Sequence, residues 1–91
     1  MQKIILVSSC AGGEPVARSQ AKQLLQDAGD ATAVVFDFAG IAWVGQGFAD
    51  EALRVWPQHH PGVTVSAINV GEDVRRMIRR VRREVGLEDI V

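Results

Sequence analysis

The chain is 91 residues long, enough for one small domain with a thin core and a narrow stability margin. Its 47% hydrophobic content is ordinary for a globular fold, and its 23% charged residues exclude a disordered tail. A formal net charge of -1 supplies no global field toward nucleic acid or lipid.

The single cysteine, Cys10, has no partner for an internal disulfide, which fits a reducing cytoplasm. No apolar run approaches the roughly 20 residues that span a bilayer. The Ile4 to Val7 run is too short for the core of a secretion signal. The expectation is a cytoplasmic protein with no membrane association, folded as one domain over residues 1–91.

In chain order, Lys3 to Val7 reads as a short strand covered on both faces. Gly12-Gly13 marks a turn, after which Pro15 and Val16 are either the rest of a hairpin or loop. Ala17, Ala21, Leu24, Leu25 and Ala28 form one amphipathic stripe, which predicts a helix over about 17–28 capped by a left-handed Gly29. Ala33 to Phe38 is the central strand, and its run Ala33-Val34-Val35-Phe36 predicts burial on both faces of a parallel sheet.

A turn through Gly45-Gln46-Gly47 leads into a second helix. There Phe48, Ala49, Ala52, Leu53 and Trp56 share a face, with Asp50, Glu51 and Arg54 on the other. Pro57 and Pro61 are expected to end it. In the third strand, Val63 to Val70, Val63, Val65 and Ala67 alternate with Thr64, Ser66 and Ile68. Gly71-Glu72-Asp73 then opens a last helix with Val74, Met77, Ile78, Val81 and Val85 as its buried stripe and Gly86 as its stop. This alternation predicts an α/β fold with parallel strands and right-handed crossovers. The strand-to-helix turns of such a sheet line up along one edge, where function usually sits.

Several residues invite a chemical reading. Cys10 stands after a first strand and before a glycine-containing loop, where a phosphate-cradling thiolate can sit. The layout resembles the cysteine-phosphorylated components of sugar phosphotransferase systems. A cysteine phosphatase would need an arginine at the position held by Val16. The plainer alternative is a small buried thiol. His59-His60 point in different directions with no acidic or thiol cluster beside them, so they read as a solvated loop pair and no metal site is assigned.

Arg75, Arg76, Arg79, Arg80, Arg82 and Arg83 concentrate the basic charge on the last helix. They form a solvated face, a contact for an acidic partner, or a nucleic-acid contact, and the lack of interleaved aromatics disfavours the last. Asp37, Asp50 and Glu51 suit a strand end and a helix amino end, and no histidine or serine is placed beside them. No catalytic residue and no cofactor is assigned.

The segments Ala17-Arg18-Ser19-Gln20-Ala21-Lys22, Val35-Phe36-Asp37-Phe38-Ala39-Gly40-Ile41 and Gly45-Gln46-Gly47-Phe48-Ala49-Asp50-Glu51, followed by His60-Pro61 and the text from Asn69-Val70 to Met77-Ile78, carry a family likeness. Over about residues 14–83 the chain resembles the STAS-like domains of unknown function found in prokaryotic regulators. These are relatives of the sulfate transporter and anti-sigma factor antagonist (STAS) domain. The resemblance implies a four-stranded mixed, mainly parallel sheet in the order β-β-α-β-α-β-α with three main helices, in which Gly12-Gly13 closes an initial hairpin.

In anti-sigma factor antagonists a serine at the start of the helix after the central strand is phosphorylated by a histidine-kinase-type ATPase. That acceptor position falls here on Gly47, where no hydroxyl is present. The expectation is a non-enzymatic regulatory module that binds a protein partner, with a histidine-kinase-like ATPase or another regulator as the partner class. The surface expected to carry it comprises Trp43, Gly45, Gln46, Gly47, Phe48, Asp50, Glu51 and Arg54, with Phe48 as an anchor. A phosphocarrier or thiol enzyme using Cys10 is the alternative.

Overall fold

Three short β-branched runs make the sheet. The computed structural model describes residues 1–82, in which β1 (Gln2–Leu6), β2 (Ala33–Asp37) and β3 (Thr64–Ile68) pair in parallel in the order β1-β2-β3. The register sets Ile4 beside Val35 and Ser66, and Leu6 beside Asp37 and Ile68. Helix α1 (Arg18–Leu25) connects β1 to β2. Between β2 and β3, α2 (Gln46–Asp50), a π-helical turn (Glu51–Val55) and α3 (Trp56–His59) follow one another without a break. Helix α4 (Glu72–Arg82) closes the described chain, which therefore holds three helical segments.

Strand alternation decides where the core lies. Ile5, Val34, Phe36, Val65 and Ala67 point to one face and are buried with Ala21 and Leu25 of α1, Phe48, Ala49, Ala52, Leu53 and Trp56 of the second segment, and Val74 and Ile78 of α4. The predicted stripes of the second and last helices are thus the packing faces. The prediction for Lys3 to Val7 fails on one side. Ile4 is 58% and Leu6 52% exposed, because no helix among the described residues lies on the face that they share. Central β2 comes nearer to its prediction: Val34 and Phe36 are fully buried in the core and Val35, on the open face beside Ile4, is 9% exposed, while Ala33 is half-buried.

The expected fourth strand and its hairpin are not found among the described residues. The physical reason lies in residues 7–17. Val7–Ser9 tightens into a 3₁₀ turn, and Gly12 and Gly13 take left-handed φ values of 83° and 80°. The carbonyls and amides that a hairpin strand would have offered to a ladder are bonded elsewhere, as described below. Gly29 does not supply a left-handed cap; α1 ends at Leu25 and the chain leaves through successive tight turns, Ala28 N–H to Leu25 O and Ala31 N–H to Ala28 O.

Pro57 does not end the second helix either. The π turn ahead of it widens the backbone, with Trp56 N–H bonding Glu51 O, so the helix accommodates a ring that lacks an N–H and crowds the preceding turn. The helix instead stops at His59. Val85, Gly86 and the remaining carboxyl-terminal expectations lie outside the described residues.

Candidate partner-binding surface

The loops at the carboxyl ends of the strands meet on one edge, and four groups of residues organise them. Asp37 ends β2 and accepts two hydrogen bonds on Oδ1, one from Ala39 N–H and one from Asn69 Nδ2, each 2.9 Å. The Asn69 bond, then the Ala39 amide, hold the Asp37 carboxyl below its ordinary range. Asn69 has φ 56°, a left-handed conformation that asparagine tolerates better than most residues. Asp37 thereby ties the loop after β2 to the turn after β3, which is a structural task.

Gln20 organises the loop before α1. Its Oε1 accepts from the amides of Val16 (2.9 Å) and Ala17 (2.7 Å), while Nε2 donates to the carbonyls of Ala11 (2.5 Å) and Glu14 (2.7 Å). This is one half of a capping box, since Ala17 has no side-chain acceptor to return the bond. One amide side chain therefore sets the path of residues 11–17.

That path delivers Pro15 and Val16 onto the amino end of α2. Gly45 N–H donates to Pro15 O at 2.8 Å and Phe48 N–H to Val16 O at 3.2 Å. A Cβ at Gly45 would lie 2.4 Å from Val16 O, and one at Gly47 would lie 3.3 Å from Arg18 N. The glycines of this turn are there because another piece of backbone presses against it.

Charge then locks α1 to the second helical segment. Arg18 forks between Asp50 (Nη2 to Oδ2, 2.9 Å) and the buried Glu51 (Nη1 to Oε1, 3.1 Å). Arg54 reaches Asp50 through Nη2 at 2.8 Å and also through Nε. The Arg54 bond, reinforced by Arg18, holds Asp50 below the usual carboxylate value although burial pushes the other way. A carboxyl depressed in the folded state stabilises the fold fully above its unfolded value, about 3.8, and this contribution is lost as pH falls through the depressed value. Acid melts should therefore show a loss of stability below about pH 4 that is smaller in Asp50→Asn, which starts from a lower melting temperature at neutral pH. Parallel acid slopes for the two proteins would contradict this assignment.

The residues expected to bind a partner fall into two groups. Phe48 is fully buried, and Glu51 is nearly so, facing Arg18 rather than solvent. Gly45 and Gly47 are half-buried against residues 15–18, and Asp50 is engaged by two arginines. Phe48 is thus a core residue of α2 and not an exposed anchor. Trp43 and Gln46 are exposed, and the Arg54 side chain is partly so.

Trp43, 46% exposed, borders a shallow groove of about 200 Å³ together with Gly13, Glu14, Pro15, Gly40, Ile41 and Ala42. Val16, also exposed, belongs to the same docked loop. Of the groove's walls only Trp43 belongs to the surface expected from the sequence; Gly13, Glu14, Pro15, Gly40, Ile41 and Ala42 do not. The glutamine three residues after Ala17 was the available signal, because it marks a helix start whose preceding loop is held back.

The other chemical candidates resolve locally. Cys10 is buried in the core cluster, with Gln20 Nε2 3.8 Å from Sγ. His59 and His60 are not a loop pair: their Nδ1 atoms meet the carbonyls of Val55 (3.0 Å) and Trp56 (2.9 Å) at the helix end, and the His60 ring stacks on Trp56 at 3.9 Å. No group of three or more potential metal ligands forms among the described residues. No helix among them is long and apolar enough to cross a membrane.

The sequence model of the STAS-like domain of unknown function matches residues 13–75, more than half of the chain. The chain belongs to this family. Within the STAS-like domain the match takes in the Gln20-clamped loop from Gly13 on, the central strand, the α2 turn and the Arg18–Asp50–Glu51–Arg54 network. No curated protein and no solved structure matches the chain.

Proposed function

We propose that this STAS-like domain is a non-enzymatic regulatory module that binds another protein through the groove beside Trp43, with Gln46 and the outer edge of Arg54 as polar contacts. The observation that carries the reading is Trp43 itself. Half of a large aromatic side chain stands in solvent at the rim of a groove on the edge where the strand-to-helix loops converge. The network around Asp50 and Glu51 serves as the rigid floor of that surface, since its charges are spent within the fold. Family resemblance supports a histidine-kinase-like ATPase or another regulator as the partner class. By that resemblance Gly47 would stand in the phospho-acceptor position, and it has no hydroxyl, which supports binding that does not depend on that modification.

The test separates binding from folding. Trp43→Ala and Gln46→Arg change exposed side chains and are expected to shift stability by no more than about 0.5–1 kcal/mol. Together they should weaken capture of the partner at least about tenfold, as loss of a central aromatic contact does. The readout is titration of the purified captured protein against wild type and the double variant. Equal affinities would reject the groove as the binding surface.

A further inference from the structure

Helix α4 carries the densest charge of the molecule, and the fold aims that charge outward. Val74 and Ile78 are fully buried against the other helices, with Met77 half-buried. This orientation leaves Arg76, Arg79 and Arg80 in solvent and Arg75 half-exposed at their side. The first-turn carboxylates answer only one of them: Arg76 pairs with Asp73 at 3.1 Å and Glu72 at 3.7 Å. No carboxylate among the described residues pairs with Arg75, Arg79 or Arg80. Shallow depressions of about 190 and 160 Å³ flank the Arg76 ridge, one lined by Asp73, Arg76, Met77 and Arg80, the other by Glu72, Arg75, Arg76 and Arg79.

We infer that this face of α4 binds an acidic segment of a protein, with Arg75, Arg79 and Arg80 holding its carboxylates. A guanidinium fork matches a carboxylate in two parallel hydrogen bonds. Arginines one helical turn apart lie about 6 Å from each other along the axis, the spacing of carboxylates on one face of a partner helix. Half-buried Met77 gives one depression an apolar wall for the methylene groups of such side chains.

Nucleic acid fits less well. Arg75, Arg79 and Arg80 span only about 7.5 Å of helix, no aromatic on α4 offers a base a stacking surface, and Glu72 and Asp73 set negative charge at one end of the patch. This surface is on a different helix from the Trp43 groove and does not depend on it.

The experiment uses the full chain and two labelled probes, a glutamate-rich peptide and a mixed-sequence DNA duplex, read by fluorescence anisotropy at about 50 and about 300 mM NaCl. The peptide should bind, weaken at least about threefold across that salt range, and lose at least about tenfold in affinity to Arg75→Glu/Arg79→Glu. Those positions are not in the core, so the variant should keep the melting temperature of wild type to within a few degrees. Failure of the peptide to bind at low salt would overturn the inference. So would equal binding by the folded double variant, or tighter binding of the duplex than of the peptide.

Discussion

Gly45→Ala is expected to cost about 3 kcal/mol of stability and to lower the melting temperature by roughly 12–24 °C. The cause is a single close approach. The added Cβ would stand 2.4 Å from Val16 O and 2.9 Å from Val16 Cα, both backbone atoms, so no side-chain rotation relieves the clash. Either the loop over residues 15–18 or the amino end of α2 must move. Movement of either breaks the Gly45–Pro15 and Phe48–Val16 hydrogen bonds and misaligns Arg18 with Asp50 and Glu51. Gly62→Ala is the matched control: its Cβ meets nothing within 4 Å, its φ is not left-handed, and the change should stay within about 0.5 kcal/mol. Thermal melts that place the two variants together would show that the turn is not packed as described.

Phe48→Ala should have the larger effect, about 3–5 kcal/mol, because the ring is fully buried in the core cluster. At roughly 0.05–0.15 kcal/mol per residue, a domain of this size has a total stability of about 5–14 kcal/mol. The variant therefore loses a large fraction of the total, and all of it if the domain sits at the low end of that range. Circular dichroism and urea titration measure this directly. Trp43→Ala provides the opposite pattern, with little loss of stability and a large loss of binding. If Phe48→Ala melted like wild type and lost only partner affinity, the assignment of these two aromatics would be reversed.

The contrast between these aromatics shows where sequence pattern carries and where it stops. The stripe Phe48, Ala49, Ala52, Leu53, Trp56 was legible because apolar spacing at a helical period demands a covered face, and every one of those residues is buried. The run Val34-Val35-Phe36 was legible for the same reason in a central parallel strand. The likeness of the chain to STAS-like domains was also readable from its turn and helix segments, and the family match over residues 13–75 agrees.

What sequence spacing did not convey was contact between segments far apart in the chain. Gly45-Gln46-Gly47 reads as a turn of the partner surface, and the spacing does not show that Val16 presses against it. Glu51 reads as a solvent residue until Arg18, on another helix, turns it inward. The hairpin expected at Gly12-Gly13 fails because one side chain, Gln20, takes the backbone partners that a strand would have needed. Pro57 reads as a stop, and only the π turn before it explains why the helix continues.

The Gly47 position is enclosed by the same contacts. Gly47 lies where a Cβ would come within 3.3 Å of Arg18 N, and the α2 amides of Gly45 and Phe48 already bond carbonyls of Pro15 and Val16. A side chain at Gly47 would be crowded by the loop over residues 15–18. The exposed part of this edge lies further out, at Trp43 and the groove it borders.

Hydrogen–deuterium exchange of the domain, alone and saturated with its captured protein partner, tests the central claim most directly. Protection should rise in the groove backbone, residues 13–15 and 40–46, while the Ile4 and Leu6 face of β1 stays unchanged. Protection confined to that open sheet face, with the Trp43 groove exchanging as in the free domain, would contradict the account.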